Sequence, residues 1–150
     1  HIQGAQAAGL DVGVYFFSQA VTEKEAQEEA QYVLELVRDY NITYPIAFDS
    51  EKVENSDGRA NALTVEERTK TAIAFLEKIK KAGYEPMVYA NDRWFALNLD
   101  LRRLTDYKLW LASYREKPVF PYKVDVWQHT NSAAVPGVAG NVDMNIWFTE

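Results

Sequence analysis

A chain of 150 residues with 47% hydrophobic and 25% charged residues is ordinary for one soluble globular domain with a sizeable core. The formal net charge of -6 argues against nucleic acid as a partner, because no basic stripe is present to neutralise phosphates. The lack of cysteine excludes disulfides and thiolate metal sites, and no apolar run approaches the about 20 residues of a membrane span.

The first third of the chain predicts the end of a helix, then a strand and a second helix. The opening residues are typical of a helix tail that ends at Gly9, and no signal peptide is apparent. The apolar run Val12–Phe17 predicts a buried strand. Thr22 and Glu25 predict a capping box, and the apolar face that follows predicts a helix to about Tyr40.

The segment Tyr44–Glu51 begins as a short apolar run, which predicts a buried strand. It ends in two carboxylates two positions apart. Because side chains alternate along a strand, Asp49 and Glu51 point the same way if the strand persists that far. Neighbouring carboxylates raise one another's pKa, which suits an acid/base pair with one carboxyl protonated. The alternative interpretation of these residues alone is a loop with two solvated acids or an acidic helix cap.

The remainder of the chain predicts one more helix and several short strands. Residues 52–61 are polar and contain a turn signal at Asp57. Thr64 and Glu67 predict a second capping box, for a helix that ends at Gly83. The elements predicted after this helix are a strand at Pro86–Ala90, an irregular helical connection from Asn91 to Leu104, and strands at Lys108–Ala112, Val124–Gln128 and Val142–Trp147.

The alternation of strands and helices predicts right-handed βαβ units and therefore a parallel sheet. Strands with few polar positions suit a sheet that is covered on both faces or closed on itself. A full eight-stranded barrel needs about 250 residues, so the sequence predicts a smaller or incomplete one. In such barrels the site lies at the C-terminal ends of the strands, where this chain has Ser18, Asp49, Glu51, Asn91, Tyr114, Gln128 and Asp143.

With these elements in order, the chain resembles the glycoside hydrolase family 25 lysozymes, the Chalaropsis-type N-acetylmuramidases. The resemblance covers essentially the whole chain and implies a single catalytic domain over residues 1–150. It implies an α/β fold, an irregular TIM-like β/α barrel with mostly parallel strands. The motifs that carry it, in the family's order, are Val12–Ser18, Asp49–Glu51, Val88–Asn91, Leu109–Tyr114, Asp125–Gln128 and Gly140–Asn145.

The resemblance also implies a reaction, the hydrolysis of the β-1,4 bond between N-acetylmuramic acid and N-acetylglucosamine in peptidoglycan. The implied partner is the peptidoglycan glycan strand, with no nucleic acid and no membrane, and the implied location is extracellular or in the cell wall. The resemblance implies no cofactor and no metal. Whether a carboxylate or the substrate's own acetamido group acts as nucleophile stays open, and in the second case an Asp orients the acetamide.

By motif, Glu51 resembles the general acid that protonates the leaving oxygen, and Asp49 resembles its acidic neighbour. Asp143, at the end of the last strand, resembles a third acid; without the resemblance it is better explained as a turn-capping Asp. We expect a raised pKa for Glu51, caused by apolar neighbours and by Asp49. The implied groove lining, for whose aromatic members core packing is as good an explanation as sugar stacking, is Tyr15, Tyr89, Trp110, Tyr114, Trp127, Gln128 and Asn145.

The chain departs from the family at its beginning. Members of the family start with a strand of the form Ile-Asp-Val-Ser and a second strand, which are absent here together with an active-site Asp. We therefore expect a barrel whose N-terminal part is missing, with an exposed strand edge that invites a homodimer. A smaller departure is His129, where the family usually carries an aromatic residue, and we expect a neutral, packed histidine.

Two other classes of function remain open at this point. One is a non-catalytic peptidoglycan-binding remnant that keeps the groove but lacks the missing Asp. The other is a metal-dependent phosphodiesterase in which Asp49 and Glu51 hold Mg²⁺ or Ca²⁺. The second is disfavoured because only His1 and His129 are available as imidazoles and no basic cluster suits a phosphate.

Overall fold

The computed structural model describes residues 1–54 and 58–149, so the turn predicted at Asp57 lies outside the described residues. Helices and strands alternate along much of the chain. The helices are α1 (Ile2–Ala7), α2 (Glu23–Val37), α3 (Val65–Lys81) and α4 (Asp92–Asn98), with 3-10 turns at Arg59–Ala62 and Leu101–Arg103. The strands are β1 (Val14–Phe17), β2 (Ile46–Asp49), β3 (Pro86–Asn91), β4 (Lys108–Ala112), β5 (Val126–Ala133) and β6 (Val142–Trp147).

The six strands form one sheet in chain order, from β1 at one edge to β6 at the other. The pairs from β1 to β5 are all parallel, and β6 runs antiparallel to β5. Helix α2 connects β1 to β2 and helix α3 connects β2 to β3, because parallel neighbours require a crossover. The predicted α/β fold with mostly parallel strands is confirmed.

The sheet is curled into half a barrel. In a flat sheet, four strand spacings would separate β2 from β6 by about 19 Å. Instead the ring of Tyr44, just before β2, stacks on the ring of Trp147 in β6, with centroids 5.0 Å apart. The concave face therefore brings side chains from distant strands within reach of one another.

The two faces of the sheet have different partners. Along β2, Ile46 and Phe48 belong to the main core, in which helices α2 and α3 pack on the convex face. The residue between them, Ala47, points the other way and joins Met87 and Val126 in a smaller apolar cluster on the concave face. The alternation expected of a strand thus separates the structural core from the face that carries polar groups.

The helix ends follow the predicted signals, with one difference. Thr64 and Glu67 form the predicted reciprocal capping box at the start of α3. At α2, the Thr22 side chain accepts from the backbone N–H of Glu25 as predicted, but Glu25 does not bond back to Thr22. Its carboxylate accepts instead from the N–H of Val21 at 2.9 Å, while its other oxygen is held by Arg59 at 2.9 Å.

Several predicted boundaries shift in the structure. Helix α2 ends at Val37 rather than near Tyr40, and β5 extends past Gln128 because β6 continues to pair with it. Strand β1 begins only after Gly13, where the chain passes so close to β2 that a Cβ would lie 2.7 Å from the carbonyl oxygen of Pro45. Among the described residues, no helix combines the length and apolarity needed to cross a bilayer.

Candidate active site

Three carboxylates line one cleft on the concave face. Asp49 ends β2 on the concave side, and Glu51, two residues beyond the end of the strand, lines the same cleft. Asp143 reaches the same cleft from β6. The cleft has a volume of about 120 Å³, and its remaining lining residues are Tyr15, Tyr89, Trp110 and Gln128.

Asp49 is the most buried of the three acids, with an exposed fraction of 6%. Its Oδ1 atom is buried and has no hydrogen-bond partner in the described part of the chain. Burial, and secondly the charge of Glu51, raise the pKa of Asp49 to about 7. Because burial penalises the charged form, Asp49 holds a proton close to neutral pH.

Glu51 is only half-buried and lines two clefts, the one with the other acids and a second one outside it. Burial raises the pKa of Glu51, and the charge of Asp143 raises it further. The direction agrees with the sequence-based expectation, whereas the charged neighbour that raises this pKa is Asp143 rather than Asp49. The interaction between Glu51 and Asp49 instead raises the pKa of Asp49.

Asp143 reaches the site differently from the prediction. The expectation that it ends the last strand is wrong, since it is the second residue of β6. Because β6 is antiparallel to β5, the beginning of β6 lies at the edge where the parallel strands end. The sequence pattern alone predicts the strand but not its direction.

The side chain of Gln128 connects the acids to two tyrosines. Its Oε1 atom accepts from the hydroxyl of Tyr89 at 2.9 Å and from the hydroxyl of Tyr114 at 2.8 Å. Its Nε2 atom donates to Oδ2 of Asp143 at 3.3 Å. The two tyrosine donors thereby fix the orientation of the amide, so that an N–H faces the carboxylate of Asp143.

Trp110 forms a wall between this cleft and an apolar cavity of about 330 Å³. Its indole N–H donates to Oδ1 of Asn145 at 2.7 Å, which brings Asn145 to the wall of that cavity. The rings of Tyr89 and Tyr15 meet it edge-on, at centroid distances of 4.7 Å and 6.4 Å. Tyr15, Tyr89, Trp110 and Asn145 are therefore brought together at this face.

Trp127 is not brought to this group. Its register partner is Leu111, which belongs to the core on the convex face. Its indole N–H donates to the carbonyl of Ser113 at 2.7 Å, and its ring contacts the half-buried His129. Because adjacent residues of one strand point to opposite faces, only one of Trp127 and Gln128 can face the cleft, and the structure places Gln128 there.

Ser50, between the two acids, is fixed by a contact that the sequence does not reveal. The indole N–H of Trp94, in α4, donates to the Ser50 hydroxyl at 3.0 Å. The guanidinium of the buried Arg68 lies 4.7 Å from the centroid of the Trp94 ring and donates to the carbonyl of Leu63. Asn91 caps α4 by accepting from the N–H of Trp94, which sets the indole in place.

A second cleft, of about 350 Å³, adjoins the carboxylates through Glu51. It is lined by polar groups at the ends of β3 and β4, including Asn91, Asp92, Tyr114 and Arg115. Within residues 1–54 and 58–149, no group of three or more His, Asp or Glu side chains is arranged to hold a metal ion. The side chains that surround the three acids are hydrogen-bonding and aromatic ones.

Several known proteins resemble this chain in sequence and fold. The curated D-alanyl-L-alanine endopeptidase of Streptococcus phage B30 is 29% identical over 90% of this chain and 31% of its own length. The modular autolysin LytC from Streptococcus pneumoniae is 26% identical, with a TM-score of 0.87 over 98% of this chain and 36% of the autolysin. LytC has also been solved in complex with a synthetic peptidoglycan ligand.

A family 25 glycosyl hydrolase from Bacillus anthracis shares the fold, with a TM-score of 0.78 at 23% identity over 99% of this chain and 69% of that one. This chain spans only about a third of the length of the phage protein and of the autolysin. The sequence model of the glycosyl hydrolases family 25 matches residues 1–138, which include Asp49 and Glu51 and stop short of Asp143. This chain belongs to glycosyl hydrolase family 25.

Proposed function

We propose that this chain is a lysozyme of the N-acetylmuramidase type, which hydrolyses the β-1,4 bond between N-acetylmuramic acid and N-acetylglucosamine in peptidoglycan. The observation that carries the proposal is the convergence of Asp49, Glu51 and Asp143 on one cleft at the C-terminal edge of the parallel strands. Glycoside hydrolysis needs an acid and a partner carboxylate beside the scissile bond. Membership of the family supports the same chemistry.

Glu51 is the general acid in this proposal. A general acid must reach the leaving oxygen, and Glu51 lines both clefts whereas Asp49 is almost fully buried. Burial and the charge of Asp143 raise the pKa of Glu51, which favours the protonated form that donates to the leaving group. Because the pKa of both acids is raised, it is the greater accessibility of Glu51 that distinguishes it from Asp49.

Asp49 and Asp143 assist Glu51. The charge of Asp143 keeps the proton on Glu51 and would stabilise positive charge that develops on the sugar. The buried Oδ1 of Asp49, which has no partner in the part of the chain that the structure describes, is an acceptor that an N–H of the substrate's 2-acetamido group would satisfy. These roles leave the nucleophile unassigned between a carboxylate and the acetamido oxygen.

Peptidoglycan as substrate is supported by the family and by the relation to the autolysin solved with a peptidoglycan ligand. Action in the cell wall or outside the cell follows from that substrate, and residues 1–150 would act as one catalytic domain. We do not propose for this chain the endopeptidase activity that the name of the phage relative gives. This chain spans 31% of that protein and contains no cysteine to serve as a thiol nucleophile.

The test is the clearance of purified cell walls by the parent chain and by Glu51→Gln. We expect the parent to clear and the variant to lose at least about 100-fold in rate, the usual effect of removing a general acid. Glu35→Gln, an exposed change on α2, is the matched control and should clear like the parent. Mass spectrometry of the products should show new reducing ends at N-acetylmuramic acid.

Two results would contradict the proposal. If the products carry reducing ends at N-acetylglucosamine, the bond assignment is wrong. If neither chain clears the walls but both sediment with them, the chain is a peptidoglycan-binding remnant.

A further inference from the structure

We infer that the outer cleft beside Glu51 binds the anionic peptide branch of the substrate, with Arg115 as the residue that recognises its carboxylates. In peptidoglycan this branch is the stem peptide attached to N-acetylmuramic acid. The inference rests on the proposed function, because it assigns a second part of the same substrate to the cleft that adjoins the carboxylates.

The small volume of the carboxylate cleft favours a substrate that extends beyond the acids. The carboxylate cleft holds about 120 Å³, whereas ligand sites usually span about 300–1,000 Å³. It shares Tyr15 and Trp110 with the apolar cavity on one side, and it shares Glu51 with the outer cleft of about 350 Å³ on the other. A charged, polar branch is suited to the outer cleft, because the cavity is lined mainly by apolar side chains.

Arg115 is held in the outer cleft by an anchored partner. One of its Nη atoms lies 3.2 Å from Oδ2 of Asp92. Asp92 is itself fixed, since its Oδ1 accepts from the N–H of Arg93 at 2.7 Å and its Oδ2 accepts from the hydroxyl of Ser113 at 3.4 Å. A guanidinium has five N–H donors, so the contact with Asp92 leaves donors for a bidentate carboxylate.

The charge distribution makes this residue necessary for an anionic branch. The acids of the site and the net charge of -6 would repel a peptide carboxylate. Among the described residues that line the carboxylate cleft, the apolar cavity and the outer cleft, Arg115 is the cation. Arg115 also lines a neighbouring groove of about 680 Å³, where Arg93 is a second cation beside the acids Asp92 and Asp100.

The experiment compares soluble glycan fragments with and without their stem peptides. Binding is measured by calorimetry in the Glu51→Gln chain, which suppresses turnover. We expect stem-bearing fragments to bind more tightly than bare ones. Adding Arg115→Gln should weaken the binding of only the stem-bearing fragments, by about threefold to tenfold. This is the effect of losing a hydrogen bond from a charged group that is partly exposed.

Two variants make the readout specific. Arg38→Gln removes an exposed arginine that pairs with Asp39 at the end of α2, and it should change neither affinity. Arg115→Lys keeps the charge but loses the planar fork, and it should give an intermediate loss on stem-bearing fragments. Thermal unfolding of each variant verifies that the fold is retained.

The outcomes separate the inference from the proposed function. If Arg115→Gln leaves both affinities unchanged, or lowers both equally, while the parent still clears cell walls, the inference is overturned and the muramidase proposal stands. If the parent neither clears walls nor binds either fragment, both are overturned. A loss confined to stem-bearing fragments supports the inference.

Discussion

Asp49 has a buried carboxyl whose proton affects folding as well as chemistry. Its Oδ1 atom has no hydrogen-bond partner among the described residues, and burial together with the charge of Glu51 raises its pKa from an ordinary 3.8 to about 7. Once this buried carboxyl ionises, its charge lowers the stability of the folded chain. Residues with a strongly shifted pKa are expected at functional sites, and elsewhere they cost stability without a benefit.

The free energy of unfolding should therefore fall as pH rises between about 4 and about 7. In that range the folded chain keeps the Asp49 proton while the unfolded chain has lost it, so folding takes up a proton and is disfavoured by rising pH. Asp49→Asn should give a flatter profile and a more stable chain at pH 7 and above. Urea unfolding across this pH range measures the effect.

The control for this prediction is Asp39→Asn, an exposed acid at the end of α2. It should leave the shape of the profile unchanged. A profile for Asp49→Asn that is as steep as the parent's would show that Asp49 titrates normally in the folded chain.

Helix α4 positions the residue between the two acids. It starts directly after β3, where Asn91 caps it, and its third residue, Trp94, donates to Ser50. The stacked guanidinium of Arg68 covers the indole from the side of α3. Two helices thus act on the Asp49–Glu51 segment through one hydrogen bond.

Trp94→Phe should lower kcat by about fivefold with little change in KM. It removes the N–H donor but keeps an aromatic ring, and a lost hydrogen bond is worth about 1 kcal/mol. Kinetics on stem-bearing fragments, with Ser50→Ala and the double variant, complete a mutant cycle. If the two single effects simply add, the contact does not position Glu51.

At the scale of the whole molecule, the half-barrel has two unequal edges. Strand β6 ends the sheet on one side, and β1 ends it on the other, pairing with β2 and with no further strand among the described residues. Tyr15 and Phe17 on β1 are exposed side by side on the concave face. Unpaired edges of this kind invite pairing with another chain.

We propose that two copies of this chain pair through β1. Sedimentation velocity should show a fraction of dimer that increases with protein concentration. Phe17→Lys should abolish the dimer because a charged residue disfavours edge pairing. Leu36→Lys, an equally polar change on the exposed side of α2, is the control. A monomer at every concentration would end the proposal.

Local patterns in the sequence determined much of this protein. They predicted the strands and helices, three of the four capping contacts at Thr22, Glu25, Thr64 and Glu67, and the shared direction of Asp49 and Glu51. The resemblance to family 25 added the identity of the acids, and the family match confirms that membership. These features were accessible because helix and strand periodicity depend on neighbours close in sequence.

Only the tertiary structure decided which distant residues meet around Glu51. The antiparallel direction of β6 delivers Asp143, the amide of Gln128 links that acid to the tyrosines, and Trp94 reaches Ser50 from a separate helix. Trp127, one residue before Gln128, faces the opposite side. The reversed direction of β6 and the curl of the sheet arise from contacts between elements far apart in the chain, and the pattern of a single strand does not encode them.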